Sequence, residues 1–334
     1  MMTPGIMLDG MPGLDAWPRR LVCVSLNAAV DKIAAVDRLV PGEIHRPEVL
    51  SAVPGGKALN VARAAATLGM PVRAVAVLGG HAGAWMDAAL HAREIATNVV
   101  RAAGETRTCL SVLDRAAGTL TEFYEPGLTL DAAGWAAVEA ALRSELADDP
   151  SGSLVVLAGS LPPGAPEAGY ARMATIAGEA GARSVVDADR AALAAALAAR
   201  PWLVKVNARE AADAAGLAGA PGEGAVVEAA RGLRARTGSV VLVTRGMEGA
   251  VLVDGTGAAW LVGGPPERGR YPVGSGDSLL AGLAVALAAG FPLPEAARRG
   301  VAVGAANALV PGQGELDPAD ADRMLPAISV QRIG

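Results

Sequence analysis

Only two cysteines (Cys23 and Cys109) and three histidines (His45, His81 and His91) occur in 334 residues. The histidines show no metal-ligand spacing, and the ligands for closed zinc coordination are missing, which argues against a His/Cys metal site. Both cysteines sit in apolar, strand-like surroundings and read as buried thiols rather than a disulfide. Aromatic residues are scarce at 3%, and much of the apolar content is alanine, which favours close-packed helices over bulky aromatic clusters. Charge of one sign is not concentrated. The net charge is −5 with both signs spread along the chain, so the basic footprint of a nucleic-acid partner is lacking. A long hydrophobic run is also lacking. The most apolar stretch, 279–293, is shorter than a membrane span and begins beside Asp277, so a buried helix explains it better and no membrane partner is expected. Residues 1–20 have no apolar core after a basic start, so they read as a loose extension rather than a secretory signal. The cytoplasm is the expected compartment.

What is present is a large core: 52% of residues are hydrophobic and 19% charged, which disfavours general disorder. Nearly continuous apolar runs at 21–26, 72–78, 153–158, 184–187, 203–206 and 240–244 read as strands covered on both faces. Helical segments at 58–68, 132–146, 166–180, 226–236, 278–289 and 294–309 alternate with them. This alternation predicts an α/β fold, a mostly parallel central sheet flanked by helices, with ligands beyond the carboxyl ends of the strands. Segments near 32–50 and 106–124 look like strands without intervening helices. They suit either a small β-sheet lid or a pair of surface hairpins. The expected organisation is thus an extension over 1–20 and one domain over 21–334 carrying these two segments.

Four constellations carry chemistry. Gly274-Ser275-Gly276-Asp277 precedes an apolar helix. Its glycines permit a tight turn, and a helix start suits a phosphate. Asp277 could accept a hydroxyl proton beside that phosphate, or serve as a plain helix cap. Gly55-Gly56-Lys57 with Asn60 opens another helix and could hold a phosphorylated or hydroxyl-rich ligand. It is not a P-loop, because Ala58 follows the lysine. Lys205, Asn207 and Glu210 follow an apolar strand. Asn207 and Glu210 fit a capping pair, and their oxygens could also place a hydrated magnesium ion. Thr244, Gly246 and Gly249 lie in a loop between two apolar strands, where the backbone could approach a nucleotide.

In this order the pieces resemble the PfkB (ribokinase-like) carbohydrate kinase family, in its 1-phosphofructokinase and tagatose-6-phosphate kinase branch. The likeness covers roughly 21–320 and also rests on Leu26-Asn27 with Asp31, Gly104-Glu105-Thr106-Arg107-Thr108, Thr121-Glu122-Phe123 with Glu125-Pro126-Gly127, and Gly159-Ser160-Leu161-Pro162-Pro163-Gly164. The resemblance implies a ribokinase-like fold and an ATP-dependent kinase of a sugar phosphate. It implies Asp277 as base, with Gly274, Ser275 and Gly276 as an anion hole. Asp31, Gly55, Gly56, Lys57, Asn60, Arg107 and Ser160 would hold the sugar phosphate. Lys205, Asn207, Glu210, Thr244, Gly246, Gly249, Asn307 and Gly312 would serve ATP, with Asn207 and Glu210 reaching Mg2+ through water. K+ is left open as a further cofactor, and a homodimer through the lid is expected. The chain departs from the family pattern at Ala28, Ala58, Cys109, Tyr124, Asp189 and Val206, mostly on the sugar side, so a changed sugar preference is expected. Two rivals stay open: a kinase of a nucleoside or other small alcohol, and a sensor that binds without turnover. A dinucleotide-dependent oxidoreductase is disfavoured, because no G-x-G-x-x-G follows the first strand.

Overall fold

The computed structural model describes residues 17–188, 190–216 and 222–333. Asp189 and residues 1–16 of the expected extension lie outside them. The chain begins with β1 (Arg20–Ser25), β2 (Ala29–Val36), β3 (Glu48–Gly55), α1 (Lys57–Thr67), β4 (Val72–Leu78), α2 (Gly80–His91) and β5 (Ala96–Arg101). Next come β6 (Thr108–Asp114), β7 (Thr119–Tyr124), α3 (Ala132–Leu146), β8 (Ser153–Ala158), α4 (Gly169–Ala180), β9 (Arg183–Asp187) and α5 (Arg190–Leu197). Then follow β10 (Leu203–Asn207), α6 (Ala208–Ala214), α7 (Glu223–Thr237), β11 (Val240–Thr244), β12 (Ala250–Val253) and β13 (Ala259–Val262). The chain closes with α8 (Ser275–Ala288), α9 (Leu293–Asn307), α10 (Pro318–Met324) and β14 (Val330–Ile333).

Ten strands form one sheet in the order β14-β13-β12-β11-β10-β9-β8-β1-β4-β5. From β11 to β5 every pairing is parallel, whereas β12, β13 and β14 are added antiparallel at one edge. The pleat sends alternate residues of a strand to opposite faces. Leu21 and Cys23 of β1 therefore join the core beneath α1, α8 and α9, while Val22 and Val24 join the core beneath α3, α4 and α7. Burial on both faces is why these strands are continuously apolar.

Helices α8 and α9 pack closely on one face of this sheet. A Cβ at Gly282 would lie 2.6 Å from Val303, and one at Gly304 would lie 2.6 Å from the Ser275 carbonyl. Glycine at these contacts lets the two backbones approach, and this fixes the start of α8 over the sheet. The residues Asp277 to Ala286 are buried without interruption.

The segments near 32–50 and 106–124 join in one separate four-stranded sheet, in the order β3-β2-β6-β7. Strands β2 and β6 pair in parallel at its centre, so the segments are not two independent hairpins. Of the expected extension, residues 17–20 belong to the body. Trp17 packs edge-on against Trp202 at 4.9 Å, Arg183 lies 4.3 Å from the Trp17 ring centroid, and Arg20 starts β1. Both cysteines are free and buried, and burial pushes the Cys109 thiol up to about 11. No helix among the described residues is long and apolar enough to cross a membrane.

Candidate active site

Gly274 caps α8 with φ +87°, a left-handed conformation that favours glycine. A Cβ there would also sit 2.8 Å from the Gln313 Cα. The chain thus turns sharply and sets Asp277 in the first turn, only 6% exposed. Its Oδ2 accepts a hydrogen bond from Asn60 Nδ2 at 2.9 Å. Asn60 is carried by α1, whose start follows Gly56 at φ +97°. Burial pushes the Asp277 carboxyl up to about 6, against the pull of Lys205, Lys57 and the Asn60 bond; nearby Asp187 adds to the rise.

Asp187, at the end of β9, is 1% exposed. Lys57 Nζ donates to its Oδ1 at 2.9 Å, and Lys205 Nζ pairs with its Oδ2. Burial alone would raise this carboxyl. The two ammonium groups prevail and hold it at about 2. In return, Asp187 raises Lys57 above the ordinary lysine range. One buried carboxylate therefore clamps two cations that face Asp277.

The small sheet contributes a row of aligned residues: Val53, Asp31, Cys109 and Tyr124 face one another across its four strands. Asp31 is buried, and its Oδ2 accepts from the Gly56 amide at 3.2 Å. Burial pushes Asp31 up to about 6 despite that amide and the charges of Arg63 and Arg107. Arg107 donates to the Asn27 carbonyl at 3.0 Å and to the Glu125 carbonyl at 3.2 Å. Ser160 Oγ accepts from Asn27 Nδ2 at 2.9 Å.

A cavity of about 530 Å³ gathers Asp31, Gly56, Lys57, Asn60, Arg107, Ser160, Lys205, Asn207, Thr244, Gly274, Gly276 and Asp277. Cys109, Tyr124 and Gln313 line it as well. A second cavity, of about 490 Å³, takes in Asn207, Thr244, Gly246, Gly249, Ser275 and Gly276, with Met247, Val301, Ala305 and Ala308 as apolar wall. The two share Asn207, Thr244 and Gly276. Both open beyond the carboxyl ends of the parallel strands, as such sheets dictate.

Four expected residues line neither cavity. Gly55 has its backbone against the Asp31 carboxyl, where a Cβ would overlap it at 2.1 Å. Asn307 is fully buried and spends its side chain within the protein, accepting from Ser278 Oγ and the Gly314 amide and donating to the Gly312 carbonyl. It ties α8 and α9 to the 312–314 loop rather than facing a ligand, and Gly312 serves in the same tie. Glu210 completes the capping box of α6: the Asn207 amide donates to its Oε2 at 2.8 Å, and its own amide donates to Asn207 Oδ1 at 2.9 Å. The capping alternative therefore holds for this pair. Of the three expected anion-hole amides, that of Ser275 already donates to the Pro272 carbonyl at 3.2 Å.

Among the described residues no cluster of three or more His, Cys, Asp or Glu could hold a metal ion. Asn207 with the second oxygen of Glu210 is a sparse donor set. It fits a hydrated magnesium that keeps several waters and arrives with nucleotide phosphates, not a dehydrated ion in a protein cage.

A carboxylate at a glycine-turned helix start, lining a cavity with Lys57, Lys205 and Arg107 beside a second, partly apolar one on a parallel α/β body, is the design of a ribokinase-like sugar kinase. The pfkB family carbohydrate kinase profile matches residues 19–320, and the chain belongs to that family. The 1-phosphofructokinase of Xanthomonas campestris pv. campestris is 38% identical over 274 residues, 80% of this chain and 83% of that protein. The 1-phosphofructokinase of Rhodobacter capsulatus is 37% identical over 84% of this chain and 87% of its own length. Phosphofructokinase-2 from Escherichia coli, solved in complex with substrates and products, superposes with TM-score 0.84 at 29% identity, covering 92% of this chain and 99% of that one.

Sequence reasoning left Asp187 and Arg63 out of the site. A charged residue at the carboxyl end of a strand was the available signal for Asp187. Arg63 had only its place one turn after Asn60, because two of its partners, Gln313 and Glu315, are about 250 residues away in sequence.

Proposed function

We propose that this protein transfers the γ-phosphoryl group of ATP to a free hydroxyl of a sugar phosphate, with Asp277 as base. The observation that carries the reading is that Asp277 lines one cavity next to Gly276, which with Asn207 and Thr244 also lines the other. The cavity containing Asp277 presents Lys57, Arg107 and Lys205, which suits an anionic sugar over a neutral nucleoside. The other has the mixed polar and apolar wall that a nucleotide needs.

Asp277 takes the proton of the hydroxyl as the phosphoryl group is transferred. Raised to about 6, it is still largely ionised near neutral pH and is more basic than an ordinary aspartate. The start of α8, through the Gly274 and Gly276 amides, offers donors where negative charge develops. Lys57 and Lys205, clamped by Asp187, bracket the same region. Magnesium neutralises phosphate charge when bound, and Asn207 and Glu210 are the residues that would hold its waters. The small sheet acts as a lid whose Asp31, Arg107 and Tyr124 cover the sugar and exclude water. Fructose 1-phosphate is the first substrate to try, because the two relatives at 37–38% identity are 1-phosphofructokinases. The cytoplasm is the proposed compartment, and the lid sheet the proposed dimer surface.

The test is sugar-dependent ADP release by the wild type and Asp277→Asn across a panel of sugar phosphates, with and without chelator. The expected loss in Asp277→Asn is roughly 10²–10⁴-fold, with binding retained. Near-normal turnover in a folded variant rejects the base. Tight binding without wild-type turnover on any sugar would establish a sensor instead.

A further inference from the structure

We infer that Arg63 is a positioning residue: it holds the Asn60 side chain so that its amide nitrogen, and not its oxygen, faces Asp277. The inference rests on the reading of Asp277 as base. Arg63 lies one turn after Asn60 in α1 and is fully buried. Its Nε donates to the Pro54 carbonyl at 2.7 Å, and its Nη2 donates to Asn60 Oδ1 at 2.9 Å. The same guanidinium pairs with Glu315 and donates to the Gln313 carbonyl.

A primary amide has a donor end and an acceptor end, whereas a guanidinium only donates. Asn60 can therefore offer Arg63 nothing but its oxygen. The NH2 group is then turned to Asp277 Oδ2, at 2.9 Å. Without Arg63, a half-turn of the amide would set oxygen against the carboxylate. The anchor of Arg63 is itself fixed. Glu315 also pairs with Arg93 at 2.9 Å, and the backbone of Gly314 lies against Asn60, where a Cβ would come within 2.6 Å of the Asn60 carbonyl. The 312–315 loop and the α1 helix thus hold the base through a single amide.

The charged groups around Asp277 are Lys205, Lys57 and Asp187; those around Arg63 are Glu315, Arg93 and Asp31, and the Asn60 amide also bonds the Asp31 carboxyl, so the limb is read in Asp31→Asn as well. Arg63→Lys keeps the charge and removes the planar fork, so it isolates geometry from net charge. The readout is the pH profile of kcat/KM. A donor bond favours the ionised carboxylate, so its loss moves the acid limb to higher pH, by about half to one unit. In a double-mutant cycle, Asn60→Ala moves the limb the same way, and Arg63→Lys adds nothing on top of it. A purely structural role would lower the melting temperature and leave the limb in place, which overturns the inference; an additive cycle does the same. If Arg63→Lys does not fold, the paired change Arg63→Met with Glu315→Gln removes both charges together and is read identically. Retained turnover in Asp277→Asn would refute the base assignment. An inactive Asp277→Asn beside an unmoved limb refutes only the role of Arg63.

Discussion

Replacing Asp277 by asparagine should make the protein more stable while it cuts turnover by roughly 10²–10⁴-fold. The carboxyl rises from an ordinary 3.8 to about 6 on folding, chiefly through burial. A raised carboxyl favours its protonated form in the fold, so the penalty is absent well below pH 4, grows through the interval up to about 6, and is full above it. A rise of roughly two units corresponds to about 3 kcal/mol. Asparagine removes the charge and keeps an oxygen for the Asn60 donor. Urea unfolding of the two proteins should therefore show Asp277→Asn ahead by about 3 kcal/mol near pH 8, by roughly half that near pH 5, and by almost nothing near pH 3. A variant less stable than wild type at high pH, or a gain that ignores pH, would refute the claim that this carboxylate is held at the cost of stability. The expected outcome is the trade of stability for activity that buried catalytic groups impose.

Asp187→Asn should act in the opposite direction. It leaves Lys57 and Lys205 without their shared counter-charge, which costs about 3–5 kcal/mol near neutral pH. Because folding lowers Asp187 to about 2, that contribution is present above the unfolded value and is lost as pH falls through 2; unfolding midpoints between pH 7 and 3 check the trend. Tyr124→Asn alters the residue opposite Cys109 in the sugar-side row and should shift the ratio of kcat/KM between two sugar phosphates by roughly tenfold, read from the substrate panel. Ile44, Val49 and Phe123 are 87%, 53% and 53% exposed on the small sheet and its connection. Phe123→Glu should therefore lower the mass measured by light scattering if the lids pair, and an unchanged mass would dismiss that surface.

Strands 72–78, 153–158 and 240–244 were legible to the residue, because a strand covered on both faces is a nearly unbroken apolar run. The antiparallel edge was harder. β12 and β13 have four residues each, too few for a period to register. β5 is the outermost strand on the other side, mostly half-exposed, and reads as mixed. α2 was hidden by Gly80 and Gly83 in its first turns. The local part of the site was readable for a related reason: Gly274 to Asp277 is contiguous, and so is Gly56 to Asn60. What escaped was the wiring between segments. The Lys57–Asp187 pair spans 130 positions, and the Asn60–Asp277 bond spans 217. Asn307 misled because a buried amide that ties loops together and an amide that binds a ligand look alike in sequence.

The common wall of the two chambers has a practical side. Asn207, Thr244 and Gly276 face both cavities, which therefore lie side by side. A single inhibitor that joins a purine-like head to an acidic polyol tail past these shared residues would pay the loss of translational freedom once for two sets of contacts. Its tail would meet Cys109 and Tyr124.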